Sequence, residues 1–197
     1  GAQPFPPLTD VYWGPEYTDE QIKSSLNESG VQADWVEDIE KEIALLLAER
    51  MVVGRFNGRM EYGPRALCNR SILVEPGHAS INIELNNRLG RTEFMPFAPV
   101  VLLEDGPELF YRFEETINSS KYMTITLKVR EHWVEKIGAV VHLDNTARPQ
   151  WVSENYNPSA YRVLNAFYDI TGVPALINTS FNKHEEPIVC TPKDAIS

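Results

Sequence analysis

The sequence predicts a mixed α/β fold. Two stretches carry apolar residues at helical spacing, several short runs are β-branched or alternate in polarity, and polar residues gather between them. With 197 residues, 43% of them hydrophobic, the chain suits one domain with a sizeable core and gives no sign of disorder. No apolar run approaches membrane-spanning length, and no basic, apolar leader opens the sequence.

In chain order, residues 1–17 are rich in Pro and aromatics and read as an extended lead-in, leaving 18–197 as the folded domain. Thr18 with Gln21 three positions on makes a capping box for a short helix to about Asn27. Val36, Ile39, Ile43, Leu46 and Leu47 form the apolar face of a helix over 34–50. Strands are expected at 51–56, 97–103, 122–129 and 139–143. Pro96 and Pro99 confine the second of these to an edge or an irregular start. A helix over 158–170 stops at Gly172, followed by strands at 174–177 and 187–190. Thr191-Pro192 caps a last helix just where the sequence ends, so the chain reads as a segment of a longer protein.

The charge is uneven. The net charge is −10, yet residues 50–91 hold seven Arg, no Lys and three Glu. An acidic chain is a poor partner for nucleic acid or anionic lipid. An Arg-only island within it suits a small anion, because guanidinium forks grip phosphate or carboxylate in pairs of hydrogen bonds. The plainer reading pairs these Arg with surface acids. Cys68 and Cys190 are too few and too far apart for a disulfide framework or a zinc knuckle, which points to a reducing, cytoplasmic compartment.

Three segments carry chemistry. Residues 58–71, GRMEYGPRALCNRS, follow a strand; two Gly and a Pro break any helix and free backbone N–H groups toward a ligand, or make a turn pinned by Arg–Glu61 pairing. Residues 88–99, RLGRTEFMPFAP, place Arg91 just before a strand. In PALINTSFN a buried strand runs into Asn178, Thr179, Ser180 and Asn182, partners for phosphate oxygens that also suit an ordinary turn.

The strings GRMEYGPRALCNRSI, RTEFMPFAPVVL, VVHLDNTARPQ and PALINTSFNKHEEPIV resemble, in order and spacing, the carboxyl-terminal domain of the O-carbamoyltransferases of nodulation-factor and antibiotic biosynthesis. The opening Trp13-Gly14-Pro15-Glu16-Tyr17 is also similar to that family's entry into this domain. The resemblance implies a YrdC-like α/β fold, an open twisted mixed sheet with helices and a concave, positively charged ligand cavity. It implies ATP-dependent conversion of carbamoyl phosphate to carbamoyl adenylate. An actin/sugar-kinase-like amino-terminal domain of the same polypeptide would then pass the carbamoyl group to a hydroxyl.

Carried over residue by residue, Arg59, Arg65, Arg70 and Ser71 match the family's GPRALGNRS region. His142, Asp144, Thr146 and Arg148 match H-x-D-x-T-x-R, and Asn178, Thr179, Ser180 and Asn182 match NTSFN. The resemblance thus implies Arg65, Arg70, Arg91 and Arg148 as catalytic cations and the others as substrate- or nucleotide-binding groups. Cys68 stands where Gly is usual, and Leu89 and Met95 replace a Lys and an Arg, leaving Arg91 as the cation of its motif.

Such chemistry joins two anions, so it calls for convergent cations and hydroxyls rather than a protein nucleophile. Mg²⁺ is expected with the ATP, without a dedicated protein metal site. His142 and Asp144 lack an evident third ligand, which favours a structural or positioning role. Rival readings are a nucleotide-binding regulatory module that has lost catalysis and an RNA-binding domain, the latter opposed by the net charge.

Overall fold

The computed structural model describes residues 8–78, 80–90 and 97–197. The first helix, α1 (Asp19–Glu28), has the expected capping box: Thr18 Oγ1 accepts from Gln21 N while Gln21 Oε1 accepts from Thr18 N. The second, α2 (Ile39–Ala48), begins later than its apolar pattern suggests because the Asp38 carboxylate caps it, accepting from Lys41 N. Arg50, in the left-handed region at φ 65°, turns the chain into β1 (Val53–Phe56). Then come β2 (Arg70–Val74), α3 (Ser80–Arg88), β3 (Ala98–Leu102) and two single-turn helices, α4 (Gly106–Leu109) and α5 (Ile117–Ser120). A two-stranded ladder pairs β4 (Leu127–Lys128) with β5 (Thr146–Ala147) around α6 (Glu131–Val134). The chain closes with β6 (Gln150–Val152), α7 (Pro158–Thr171), β7 (Ala175–Ser180) and α8 (Pro192–Ile196).

Among the described residues, five strands form an open mixed sheet in the order β1-β2-β7-β3-β6. Neighbours are antiparallel except the parallel pair β3–β6. Alternation along the strands divides the core between two faces. Leu73, Val100, Leu102, Val152 and Leu176 meet Ile43, Ala44 and Leu47 of α2 and Val163, Leu164 and Phe167 of α7. Ile72, Val74, Val101, Ala175 and Ile177 face the other way, onto α3 and the packed segments around Phe110, Phe113 and Trp133. Each large apolar side chain buried this way contributes about 1.5–3 kcal/mol. α7 is held at both ends: Asn157 caps it by accepting from Ala160 N, Pro158 opens it, and Gly172 at φ 72°, the expected stop, ends it.

Several expected strands take other forms. Over 122–129 only Leu127–Lys128 is strand, because Met123 sits at φ 55° and Ser119 O collects bonds from Thr124 N and Thr124 Oγ1. Residues 138–140 form a 3₁₀ turn, and residues 187–190 form no strand, Val189 N donating to Phe181 O just past the end of β7. β3 is an interior strand rather than an edge; Pro99 is accommodated because β6 pairs only from Val100 onward. β2 and α3 lie outside the expected elements. Among the described residues no helix is long and apolar enough to cross a membrane.

Candidate functional site

At the carboxyl end of β7 the helix-covered core gives way to polar side chains. Leu176 is the last apolar residue on that face of the strand, and Asn178 and Ser180 follow at the same two-residue spacing. They open onto a cleft of about 180 Å³. Arg65 and Ala66 of the 58–71 loop form one wall and Phe97 and Ala98, at the start of β3, another. Arg148, from the stretch between β5 and β6, closes the third side, and Thr179 and Met123 complete it.

The cleft is cationic. Among the described residues neither Arg65 nor Arg148 has a carboxylate partner, and no acid lines the cavity. Burial, and then the neighbouring Arg65 charge, push the Arg148 guanidinium below its ordinary pKa. The buried Nε of Arg148 has no hydrogen-bond partner among the described residues. Two like charges held together in a partly dry cavity cost stability unless an anion lies between them. The Gly/Pro loop therefore supplies one cation and a distant segment the second.

Beneath the cleft lies a net of amides. Asn178 Nδ2 donates to Gln150 Oε1 at 2.6 Å, to Ala66 O at 3.2 Å and to Cys68 Sγ at 3.6 Å. Cys68 Sγ donates in turn to Gln150 Oε1 at 3.7 Å. Cys68 stands at φ 84°, a conformation that favours Gly, and its thiol packs into the core instead of opening the backbone to a ligand. Burial pushes that thiol up to about 12. At pH 8 such a thiol stays protonated and unreactive. Iodoacetamide is accordingly expected to label one cysteine, the half-buried Cys190, in the native chain and both in guanidinium, as counted by intact mass. Rapid double labelling of the native chain would show that the loop opens on its own.

The loop's shape is set from below. The buried Glu61 carboxylate accepts through Oε1 from Leu67 N (2.6 Å), Asn69 N (2.7 Å) and Arg70 N (3.3 Å), so it gathers backbone donors instead of pairing a surface Arg. Arg70, expected as a catalytic cation, is fully buried. Its guanidinium stacks 3.6 Å over the Phe56 ring and donates to the carbonyls of Pro15, Asn57, Gly58 and Asn69. Ser71 is buried too, with Oγ accepting from Cys68 N. Both position the wall of the cleft and do not line it.

The remaining expected residues scatter. Arg59 is exposed on a different depression, beside Tyr12 and Asn157, and makes a 3.4 Å contact with Trp13 O. Arg88 pairs with Glu84, and Arg55 donates to Cys68 O and Ser159 Oγ, so the Arg island does not act as a unit. His142, Asp144 and Thr146 form a turn: Thr146 Oγ1 donates to Asp144 Oδ1 at 2.7 Å and lies 3.0 Å from His142 Nδ1. That turn is outside the cleft lining. Asn182 donates through Nδ2 to Glu186 O, a turn bond, also away from the lining. Arg91 lies outside the described residues. Among those described, no cluster of three or more His, Cys, Asp or Glu could hold a metal ion. Glu61, read in sequence only as a counter-ion, and Gln150, the first residue of β6, are the contributors that sequence reasoning passed over.

Residues 44–197 match the family model described as the carbamoyltransferase C-terminus. The chain belongs to that family. It is 41% identical over 194 residues to nodulation protein NolO of Bradyrhizobium diazoefficiens, covering 96% of this chain and 35% of that one. With the 3'-hydroxymethylcephem-O-carbamoyltransferase of Amycolatopsis lactamdurans it shares 39% identity, covering 79% of this chain and 29% of the other. The chain thus spans about a third of the length of the curated relatives it matches. Its fold is that of part of full-length HypF, solved in a phosphate- and nucleotide-bound form. The TM-score is 0.57 at 18% identity, covering 84% of this chain and 20% of that one. The expected YrdC-like α/β architecture, an open mixed sheet with helices and a concave cavity, is the one observed.

Proposed function

We propose that the cleft receives the phosphoryl group of carbamoyl phosphate and that this domain uses ATP to convert the carbamoyl unit to carbamoyl adenylate. The supporting observation is the pair Arg65 and Arg148, convergent and, among the described residues, without a carboxylate between them, at the mouth of a strand that ends in Asn178-Thr179-Ser180. A volume of about 180 Å³ is below the ~300 Å³ at which sites for larger organic ligands begin. It suits one small anion, with the rest of the nucleotide lying outside it.

In the proposed sequence, water cleaves carbamoyl phosphate to carbamate and inorganic phosphate. A carbamate oxygen then attacks the α-phosphorus of ATP, and the bond to pyrophosphate breaks. Arg65 and Arg148 hold the anionic reactants against their mutual repulsion, and a closed cavity keeps the carbamate and the adenylate from water. Magnesium would come in on the nucleotide's phosphate oxygens and offset the charge on the leaving pyrophosphate, since the described lining residues include no carboxylate to hold it. The longer relatives make room for a second, amino-terminal domain that transfers the carbamoyl group to a hydroxyl.

The test is exchange of labelled pyrophosphate into ATP. Exchange is expected only when carbamoyl phosphate is present, with no carbamoylation of an added sugar alcohol by this chain alone. ATP turnover indifferent to carbamoyl phosphate would refute the reading, and nucleotide binding with no exchange would favour a regulatory module.

A further inference from the structure

The cleft contains one group that does not suit an anion. Asn178 is 2% exposed and lines the cavity. Its Nδ2 is spent on Gln150 Oε1, Ala66 O and Cys68 Sγ. Two of those partners are carbonyl-type oxygens, so the amide cannot be turned round without opposing acceptor to acceptor. Its Oδ1 is buried and has no partner among the described residues. An unsatisfied buried acceptor costs stability, and beside two guanidiniums it repels the oxygens of a phosphate or carboxylate. Its complement is an N–H.

We propose that Asn178 Oδ1 accepts a hydrogen bond from the amide N–H of a carbamoyl group, so that the cleft reads a carbamoyl head as well as an anionic tail. Gln150 is the positioning residue. Its Oε1, 2.6 Å from Asn178 Nδ2, fixes which end of the Asn178 amide faces the ligand. An acyl phosphate with a methyl in place of NH₂ has the same shape but offers no donor, and it leaves Oδ1 buried and unpaired. Sites that hydrogen-bond a substrate N–H reject the analogue lacking it far more strongly than apolar pockets reject an isostere. The inference rests on the proposed function, because it gives that site its substrate class.

Two stable probes separate the cases: phosphonoacetamide, which keeps the carbamoyl NH₂, and acetonylphosphonate, which carries methyl there. Inorganic phosphate reports the anion site alone. Calorimetric titration of the chain is expected to give at least tenfold tighter binding of phosphonoacetamide. Asn178→Leu should bring the ratio of the two probes near one. Gln150→Met, which removes the acceptor that orients Asn178 and leaves Asn178 itself in place, should lower the ratio partway with phosphate affinity within about twofold of wild type. If Asn178→Leu does not fold, the wild-type ratio and the Gln150→Met ratio decide the matter. Equal affinity of the wild-type chain for both probes, with phosphate bound, overturns this inference and leaves the anion site standing. Failure to bind phosphate or either probe overturns the proposed function and this inference with it.

Discussion

Replacing Arg148 with Met is expected to weaken inorganic phosphate binding roughly ten- to a hundredfold, the range for a lost charge-assisted hydrogen-bonding pair, without lowering the melting temperature. The second half of this expectation follows from the pKa. Arg148 is held below its ordinary value in the folded chain, first by burial and then by Arg65. A base whose pKa falls on folding is less favourably charged in the native state than in the unfolded one, at every pH below the folded value. The native state therefore carries a cost at neutral pH that an apolar side chain of similar length relieves. Arg148→Lys should fall between wild type and Met, because the ammonium keeps the charge but loses the planar fork. Arg65→Met should act in the same direction. Titration calorimetry with phosphate and thermal unfolding of the same samples make the check. Unchanged phosphate affinity in both Met variants would dismiss the two-arginine site. A large fall in melting temperature with affinity retained would make Arg148 a structural residue.

Arg70→Lys should do the reverse. The guanidinium serves the carbonyls of Asn57 and Asn69 at 2.9 Å, Gly58 at 3.2 Å and Pro15 at 3.3 Å, and lies flat on Phe56. An ammonium cannot spread two nitrogens across those carbonyls or stack as a plane. At least two part-buried acceptors lose their donor and the stack on Phe56 is lost, at about 3 kcal/mol in total. For a chain of this size that lowers the melting temperature by roughly 6–12 °C. Phosphate affinity, measured well below the transition, is expected to stay within about twofold of wild type. The opposite result, a normal melting temperature with phosphate binding lost, would return Arg70 to the ligand set in which the family motif places it.

The two substitutions separate roles that look alike in the sequence. Arg65 and Arg70 sit five residues apart in one Gly/Pro loop, and each could serve a ligand or a carbonyl. The choice is made by what surrounds them. Glu61 draws in the backbone N–H groups of 67, 69 and 70, which turns the Arg70 side chain under the loop toward Phe56 and leaves Arg65 at the rim of the cleft. In the same way His142, Asp144 and Thr146 have the composition of a binding segment, yet their short-range hydrogen bonds are satisfied within one turn.

The sequence by itself determined the α/β class and the elements whose determinants are local. α1 has its capping box, α7 its Pro158 start and Gly172 stop, and β7 is a short apolar run ending in small polar residues. Four motifs in order also determined the family, because they involve residue identity and spacing alone. Tertiary structure decided the rest. β2 is fixed by pairing with β1 and β7, and α3 by packing Leu85 against the sheet. The cleft needs Arg148 to meet Arg65 and needs Gln150 to hold Asn178, contacts between segments far apart along the chain. A guanidinium or an amide takes whichever acceptor lies within about 3 Å, and only the folded chain brings those acceptors into place.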